Sequence, residues 1–227
     1  ESISSWEDLR GKPIAITGEL GTPHRAIMSL MESQGEDPAQ HTFVSLNSFS
    51  NIVAAASSGQ VAGVAAGLPH SNALREMGYK EFANIAEMEE LQNPAGVVGG
   101  DPEWIEANKD AAKNFVKAWL EGTWVMFTDP ELTKEVLAEQ LEMTDQAEID
   151  QSYHAATYVV RQPQEQCDNE HLYELFKTNY PTPEEIEDPT LVAPDYDICA
   201  ELESEGFFDE LEEKHGPLPE KPTDSGL

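Results

Sequence analysis

The chain has 227 residues, 44 acidic against 13 basic, for a formal net charge of −31. That length makes one large domain or two modest ones, and a 39% hydrophobic content excludes a wholly disordered chain. No apolar run of about 18 residues is present to form a transmembrane segment, and the charge argues against nucleic acid or anionic lipid as a partner.

Residues 12–17 (KPIAIT) form a short apolar run that predicts a buried strand. Residues 18–23 (GELGTP) predict a loop, with Thr22 as helix N-cap and Pro23 at the first helical position. Ala26, Ile27, Leu30 and Met31 follow at helical spacing, and Gly35 stops that helix. Residues 41–46 (HTFVSL) predict a second strand. Asn47 or Ser48 then caps a helix that carries Ile52, Val53 and Ala56 and ends at Gly59. Residues 61–66 (VAGVAA) predict a third strand, followed by a loop through His70 and a short helix ending near Gly78. Strands alternating with helices across short connections predict an α/β fold with a parallel-dominated sheet flanked by helices. Residues 82–86 and 96–99 are two further strand candidates, and 92–100, rich in Gly and Pro, reads as a loop or crossing.

From Asp101 the pattern becomes helical. Asp101-Pro102 opens a helix, and 107–127 predicts a long one with Ala111, Phe115, Ala118, Trp119 and Val125 on its apolar face. Trp104, Trp119 and Trp124 read as core or interface residues. Asp129-Pro130 starts a helix with Leu132, Val136, Leu137 and Leu141 apolar, and Thr144-Asp145 starts another. Beyond Gln162, apolar pieces such as Leu172, Tyr173, Leu175 and Phe176, or Phe207, Phe208 and Leu211, predict short packed helices among acidic patches. Residues 216–227 are expected to fray.

The charge is not confined to the end of the chain. Residues 163–227 carry 19 acids against 3 bases, and the remainder is acidic too. A surface biased throughout in this way predicts a protein adapted to high salt, where screening weakens self-repulsion. Cys167 and Cys199 stand 32 positions apart with no CxxC pair, so zinc and thioredoxin-like chemistry lack support, and spacing leaves a disulfide open. No HExxH, nucleophile elbow or clustered His/Asp set is present, so no metal, cofactor or catalytic residue is assigned.

Ligands of a parallel sheet bind beyond the carboxyl ends of its strands. Three connections qualify. The first holds Gly21, Thr22, Pro23 and His24, where a helix start and the Thr22 hydroxyl suit a sulfonate, carboxylate or phosphate oxygen and His24 adds a hydrogen-bonding ring. The second holds Asn47 and Ser48, and the third holds Leu68, Pro69 and His70. The first lacks GxGxxG and is not a P-loop. An ordinary capped turn explains the same residues without a ligand.

Residues 5–16 (SWEDLRGKPIAI) resemble the lead-in to the second lobe of ABC-transporter substrate-binding proteins. Gly21-Thr22-Pro23-His24 resembles a turn of their aliphatic-sulfonate, taurine, nitrate and thiamine-precursor branch. Residues 54–63 (AAASSGQVAG) resemble the helix-to-strand step of that lobe, and 101–108 (DPEWIEAN) with 111–121 resemble the helices that follow. The resemblance covers about residues 5–155. Two positions depart from it: Gly63 stands where the branch has an Asp, and Gly67-Leu68-Pro69 lacks the branch's Trp or Glu before the proline.

The resemblance implies a type II periplasmic-binding-protein fold. It implies a solute-binding lobe over 1–100, a helical return segment over 101–161, and acidic C-terminal helices and tail over 162–227. It further implies that most of a first lobe is lacking. With no initiator Met or signal-peptide pattern, Glu1 reads as the start of a processed chain or a fragment. The implied function is that of an exported, lipid-anchored component of an ABC importer. Such a component binds a small anionic or heterocyclic solute and delivers it to permease subunits without chemistry. The alternatives are an enzyme of the thiamine-pyrimidine-synthase type, disfavoured by the scarcity of cysteine, and a ligand-sensing effector domain.

Overall fold

The computed structural model describes residues 3–19, 21–67, 70–85, 88, 91, 98–168 and 197–224. The chain divides into two compact units, Glu1–Gln92 and Asn93–Leu227.

The first unit is a small α/β lobe. Helix α1 (Trp6–Leu9) is set by a capping box in which the Ser5 hydroxyl accepts from the Asp8 amide and Asp8 accepts from the Ser5 amide. Strand β1 (Pro13–Ile16) follows, then helix α2 (Thr22–Ser33), a 3-10 turn (Pro38–Gln40) and strand β2 (Thr42–Ser45). Helix α3 (Phe49–Ser57), strand β3 (Gly63–Val64) and helix α4 (His70–Glu76) complete it. The order is β2-β1-β3, all parallel, with Ile14 opposite both Phe43 and Gly63 and Ala15 opposite both Val44 and Val64.

The central strand is covered on both faces, so Ile14, Ala15 and Ile16 are all fully buried. Alternation sends successive side chains to opposite layers. Ile14 packs with Leu9, Ile27 and Met31 from α1 and α2, whereas Ala15 packs with Ile52, Ala55, Ala56 and Leu74 from α3 and α4. Tyr79 locks the second layer, its hydroxyl donating to the Val61 carbonyl at 2.8 Å. Behind the first layer, Glu36 accepts two 2.8 Å bonds from Arg10 and contacts the buried His41 Nε2 at 3.0 Å. The Arg10 guanidinium, with His41 beside it, holds the Glu36 carboxyl below its ordinary range.

The expected α/β architecture is present, with β3 shorter than residues 61–66 suggest. Its hydrogen bonding nevertheless extends further, since Ala62 donates to Pro13 and Ala65 to Ala15. The strand candidate at 82–86 is not a strand over its described residues: 82–84 are irregular and Ile85 belongs to a 3-10 turn. Of 96–99, Val98 and Gly99 are irregular and the rest lies outside the described residues.

The second unit is helical: α5 (Pro102–Ala107), α6 (Lys109–Thr128), α7 (Pro130–Gln140), α8 (Gln146–Val159), α9 (Pro163–Gln166), α10 (Ile198–Ser204) and α11 (Phe207–His215). Asp101, Asp129, Asp145 and Asp197 each cap the helix that follows by accepting a backbone amide.

The buried face of α6 is Ala112, Leu120, Trp124 and Phe127, the opposite of the expected one. Phe115 and Trp119 are 55% and 52% exposed, and Trp104 is also half exposed. The lysines explain the inversion. Lys113 and Lys117 lie on the packed side, where Glu201 and Glu205 of the C-terminal helices pair with them, and these carboxylates push Lys113 up to about 12. Likewise α7 buries none of its residues, and Leu132, Val136 and Leu141 stay exposed.

A disulfide joins Cys167 to Cys199, with Cα atoms 5.5 Å apart. Cys167 packs against a core of Leu120, Trp124, Leu202, Phe207 and Leu211. The segment expected to fray is pinned over its described residues. Trp124 Nε1 donates to the Gly216 carbonyl, Gln162 Nε2 donates to that of Pro219, and His154 Nε2 lies 3.1 Å from that of Asp224.

Candidate functional site

The strand order places the site. After β1 the chain packs α2 on one layer, and after β2 it returns to place α3 on the other. Connections that leave a parallel sheet to opposite faces open a crevice at the carboxyl ends of the strands they flank. Here β1 leads into α2 on one layer while its neighbours β2 and β3 lead into α3 and α4 on the other, so the connections after Ile16, Ser45 and Val64 line its rim.

The first connection is a tight turn in which the Gly21 amide donates to the Gly18 carbonyl at 3.3 Å. A Cβ on Gly21 would stand 3.3 Å from that same oxygen, so the turn favours glycine. Gly21, not Thr22, is the N-cap of α2, and it supplies no side-chain cap. The helix therefore starts one residue earlier than the sequence suggests. Thr22 is its first residue and is exposed. Pro23, in the first turn, has no N–H, so the amides offered by this turn are those of Thr22 and His24.

His24 lies inside α2, not in a loop, and is buried with its ring centroid 4.5 Å from that of Phe43. Burial lowers its pKa, the Glu19 carboxylate opposes this, and Arg25 adds to it. The ring is therefore neutral at pH 7, with one donor and one acceptor nitrogen.

The second connection is tied to the first by Ser45 Oγ, which donates to the Thr17 carbonyl at 3.2 Å. Asn47 sits at φ 63°, a left-handed conformation that asparagine tolerates better than most residues. Ser48 is the N-cap of α3, its hydroxyl accepting from the Asn51 amide, and Asn51 Nδ2 donates to the Leu46 carbonyl.

The third connection is described at Ala65–Gly67 and from His70 onward; Leu68 and Pro69 lie outside the described residues. His70 is the first residue of α4 and stacks on Phe49, the first of α3, at 4.3 Å and 27°. That stack brings the second and third connections together. Ser71 Oγ is buried beside it, without a hydrogen-bond partner among the described residues.

Phe43, Phe49 and Ser71 were not identified as site residues from sequence. Phe43 read only as part of the strand over 41–46, and Phe49 and Ser71 were singled out for no role of their own. Gly63 has a clearer role: a Cβ there would lie 3.4 Å from Leu9 Cδ2 and 3.5 Å from Ile14 Cγ1. The position faces the apolar layer under α1, where an acidic side chain would be set among hydrocarbon.

Among the described residues no group of three or more side chains could hold a metal, and no helix is long and apolar enough to cross a membrane. The first unit is thus a three-stranded parallel sheet with three helix starts gathered at its carboxyl edge. A family model described as NMT1/THI5 like matches residues 1–133, more than half of the chain, and the chain belongs to that family. The family is broadly one of periplasmic-type solute-binding proteins, which suggests a small-molecule ligand. No curated protein matches the chain.

Proposed function

We propose that the chain is the solute-binding component of an ABC importer. It binds a small anionic or heterocyclic solute of the sulfonate, nitrate or thiamine-precursor class and delivers it to permease subunits without chemistry. The observation that carries this reading is the convergence of the α2, α3 and α4 starts on the carboxyl edge of the sheet. The uncapped Gly21 start of α2 suits an electronegative atom of the solute. Neutral His24 and the His70–Phe49 stack suit a polar ring or a compact head group. The Cys167–Cys199 disulfide supports an extracytoplasmic, oxidising location.

A thermal-shift screen in molar KCl tests the reading, with taurine, alkanesulfonates, nitrate, pyrimidines and thiamine precursors as probes. A true solute raises the midpoint by several degrees through mass action. Thr22→Ala and His24→Ala each then weaken its binding about tenfold or more, as for loss of a polar contact of about 1.5–3 kcal/mol. Absence of any shift across the panel refutes the proposed solute class. Unchanged dissociation constants in both folded variants remove the α2 turn from the site.

A further inference from the structure

Beyond α11, residues 216–224 cross the helical unit as a strap. The sequence makes this strap extended before it meets anything. Pro217, Pro219 and Pro222 each fix a backbone angle, and Leu218 and Lys221, each standing before a proline, are held to extended conformations. Among the described residues, none from 217 to 223 forms a backbone–backbone hydrogen bond. A segment of this kind keeps its carbonyls free for outside donors and loses little freedom when bound.

The helices meet those carbonyls with side-chain donors. Trp124 Nε1 of α6 donates to the Gly216 carbonyl at 2.9 Å, and Gln162 Nε2, at the start of α9, donates to that of Pro219 at 2.8 Å. His154 Nε2 of α8 lies 3.1 Å from the Asp224 carbonyl and 3.4 Å from its carboxylate. These oxygens only accept, so that nitrogen carries the hydrogen. Between the first two anchors, Leu218 packs on the core of Leu120, Trp124 and Leu202, and beyond them Lys221 lies 3.9 Å from Glu165. Donors spaced along an apolar seat beside a tryptophan read a proline-rich segment through its carbonyls and one apolar anchor.

We infer that the surface across α6, α8 and α9 is a recognition groove for an extended proline-rich segment, and that the chain's own residues 216–224 occupy it as an exchangeable strap. The anchors are few: three hydrogen bonds, one leucine and one long ion pair. Contacts of that number give a free peptide a dissociation constant on the order of 10⁻⁴ M. Attachment to α11 supplies an effective concentration on the order of 10⁻³ M, so the groove is filled in cis about tenfold over empty. The strap therefore excludes a competing segment while its own fit is intact and yields the groove when that fit is spoiled. The proposed solute site belongs to the first unit, and this inference does not rest on it.

Fluorescence anisotropy of a labelled peptide of residues 216–224, titrated with the full chain, tests it. The Leu218→Asp chain, whose strap no longer fits the core, binds the peptide with a dissociation constant on the order of 10⁻⁴ M, and the wild type binds about tenfold more weakly. A peptide carrying Leu218→Asp does not bind. Gln162→Ala, added to the Leu218→Asp chain, weakens binding about threefold or more. A second variant, Pro217→Gly with Pro219→Gly, changes only exposed positions and favours the unseated strap, so it too binds the peptide more tightly than the wild type. It leaves the core untouched and decides the question where circular dichroism shows that Leu218→Asp has lost helix. Failure of both variants to bind the peptide overturns the inference. So does a wild type that binds as tightly as the variants, or binding that the Leu218→Asp peptide retains.

Discussion

Replacing Cys167 and Cys199 together with serine removes a covalent link between segments separated by 32 positions. In the chain-entropy description, opening a loop of that length frees the denatured ensemble by about 3–4 kcal/mol at 25 °C. The link joins the end of α9 to the start of α10, and Cys167 also packs on the core around Leu120, Trp124 and Leu202. The loss therefore falls on the second unit. Guanidinium unfolding followed by tryptophan fluorescence reads it, because Trp104, Trp119 and Trp124 lie in that unit and Trp6 in the other. A parallel thiol titration finds no reactive thiol in the native protein and two after reduction and unfolding. A loss under about 1 kcal/mol refutes the entropic argument. Two thiols titrating without reductant refute the bond itself.

Stability should rise steeply with KCl, because screening relieves the repulsion of a −31 chain; an unfolding midpoint indifferent to salt refutes the salt-adapted reading. Glu36→Gln destabilises the first unit at neutral pH. The native Glu36 pKa is depressed, chiefly by Arg10 and then by His41, so its contribution is present above the ordinary glutamate range and disappears as pH falls through its lower folded value. The wild-type and Glu36→Gln unfolding curves should thus converge in acid, and a gap that persists there refutes the assignment. Tyr79→Phe should cost about 1 kcal/mol, because it leaves the Val61 carbonyl without the 2.8 Å donor; an unchanged denaturation midpoint refutes that accounting.

The sheet was legible because its signal is local. An apolar run closed by a turn-forming residue (Gly18, Asn47 or Gly67) and followed by a helix start recurs three times, and β1, β2 and β3 lie within those runs. The Asp-Pro helix starts were legible for the same reason, since the capping carboxylate and the proline act within one turn. The burial of α6 was not. Its sequence offers an apolar face on either side, and the choice rests on Glu201, Glu205 and a disulfide far along the chain. Of the candidate site, the three strand-to-helix connections were legible, but His24 was placed in a loop because Thr22 looked like a cap. The structure gives the cap to Gly21, where a Cβ would stand a tight 3.3 Å from the Gly18 carbonyl oxygen.

That one-residue difference changes the chemistry available at the sheet edge. A threonine N-cap would use its own hydroxyl to satisfy a first-turn amide and close the helix end to other acceptors. A glycine N-cap supplies no such acceptor, so Thr22, exposed at the first helical position, and its amide both remain presentable to a solute. Pro23 fixes the backbone of that turn without adding a donor. His24, carried by the same turn, is held by Phe43 and kept neutral by burial, so it adds a directional hydrogen-bonding group without a fixed charge. On the proposed reading, such a site favours ligands whose electronegative atoms are compact and whose remaining surface is a ring or short chain. That is the property shared by the small anions and heterocycles proposed as its solutes.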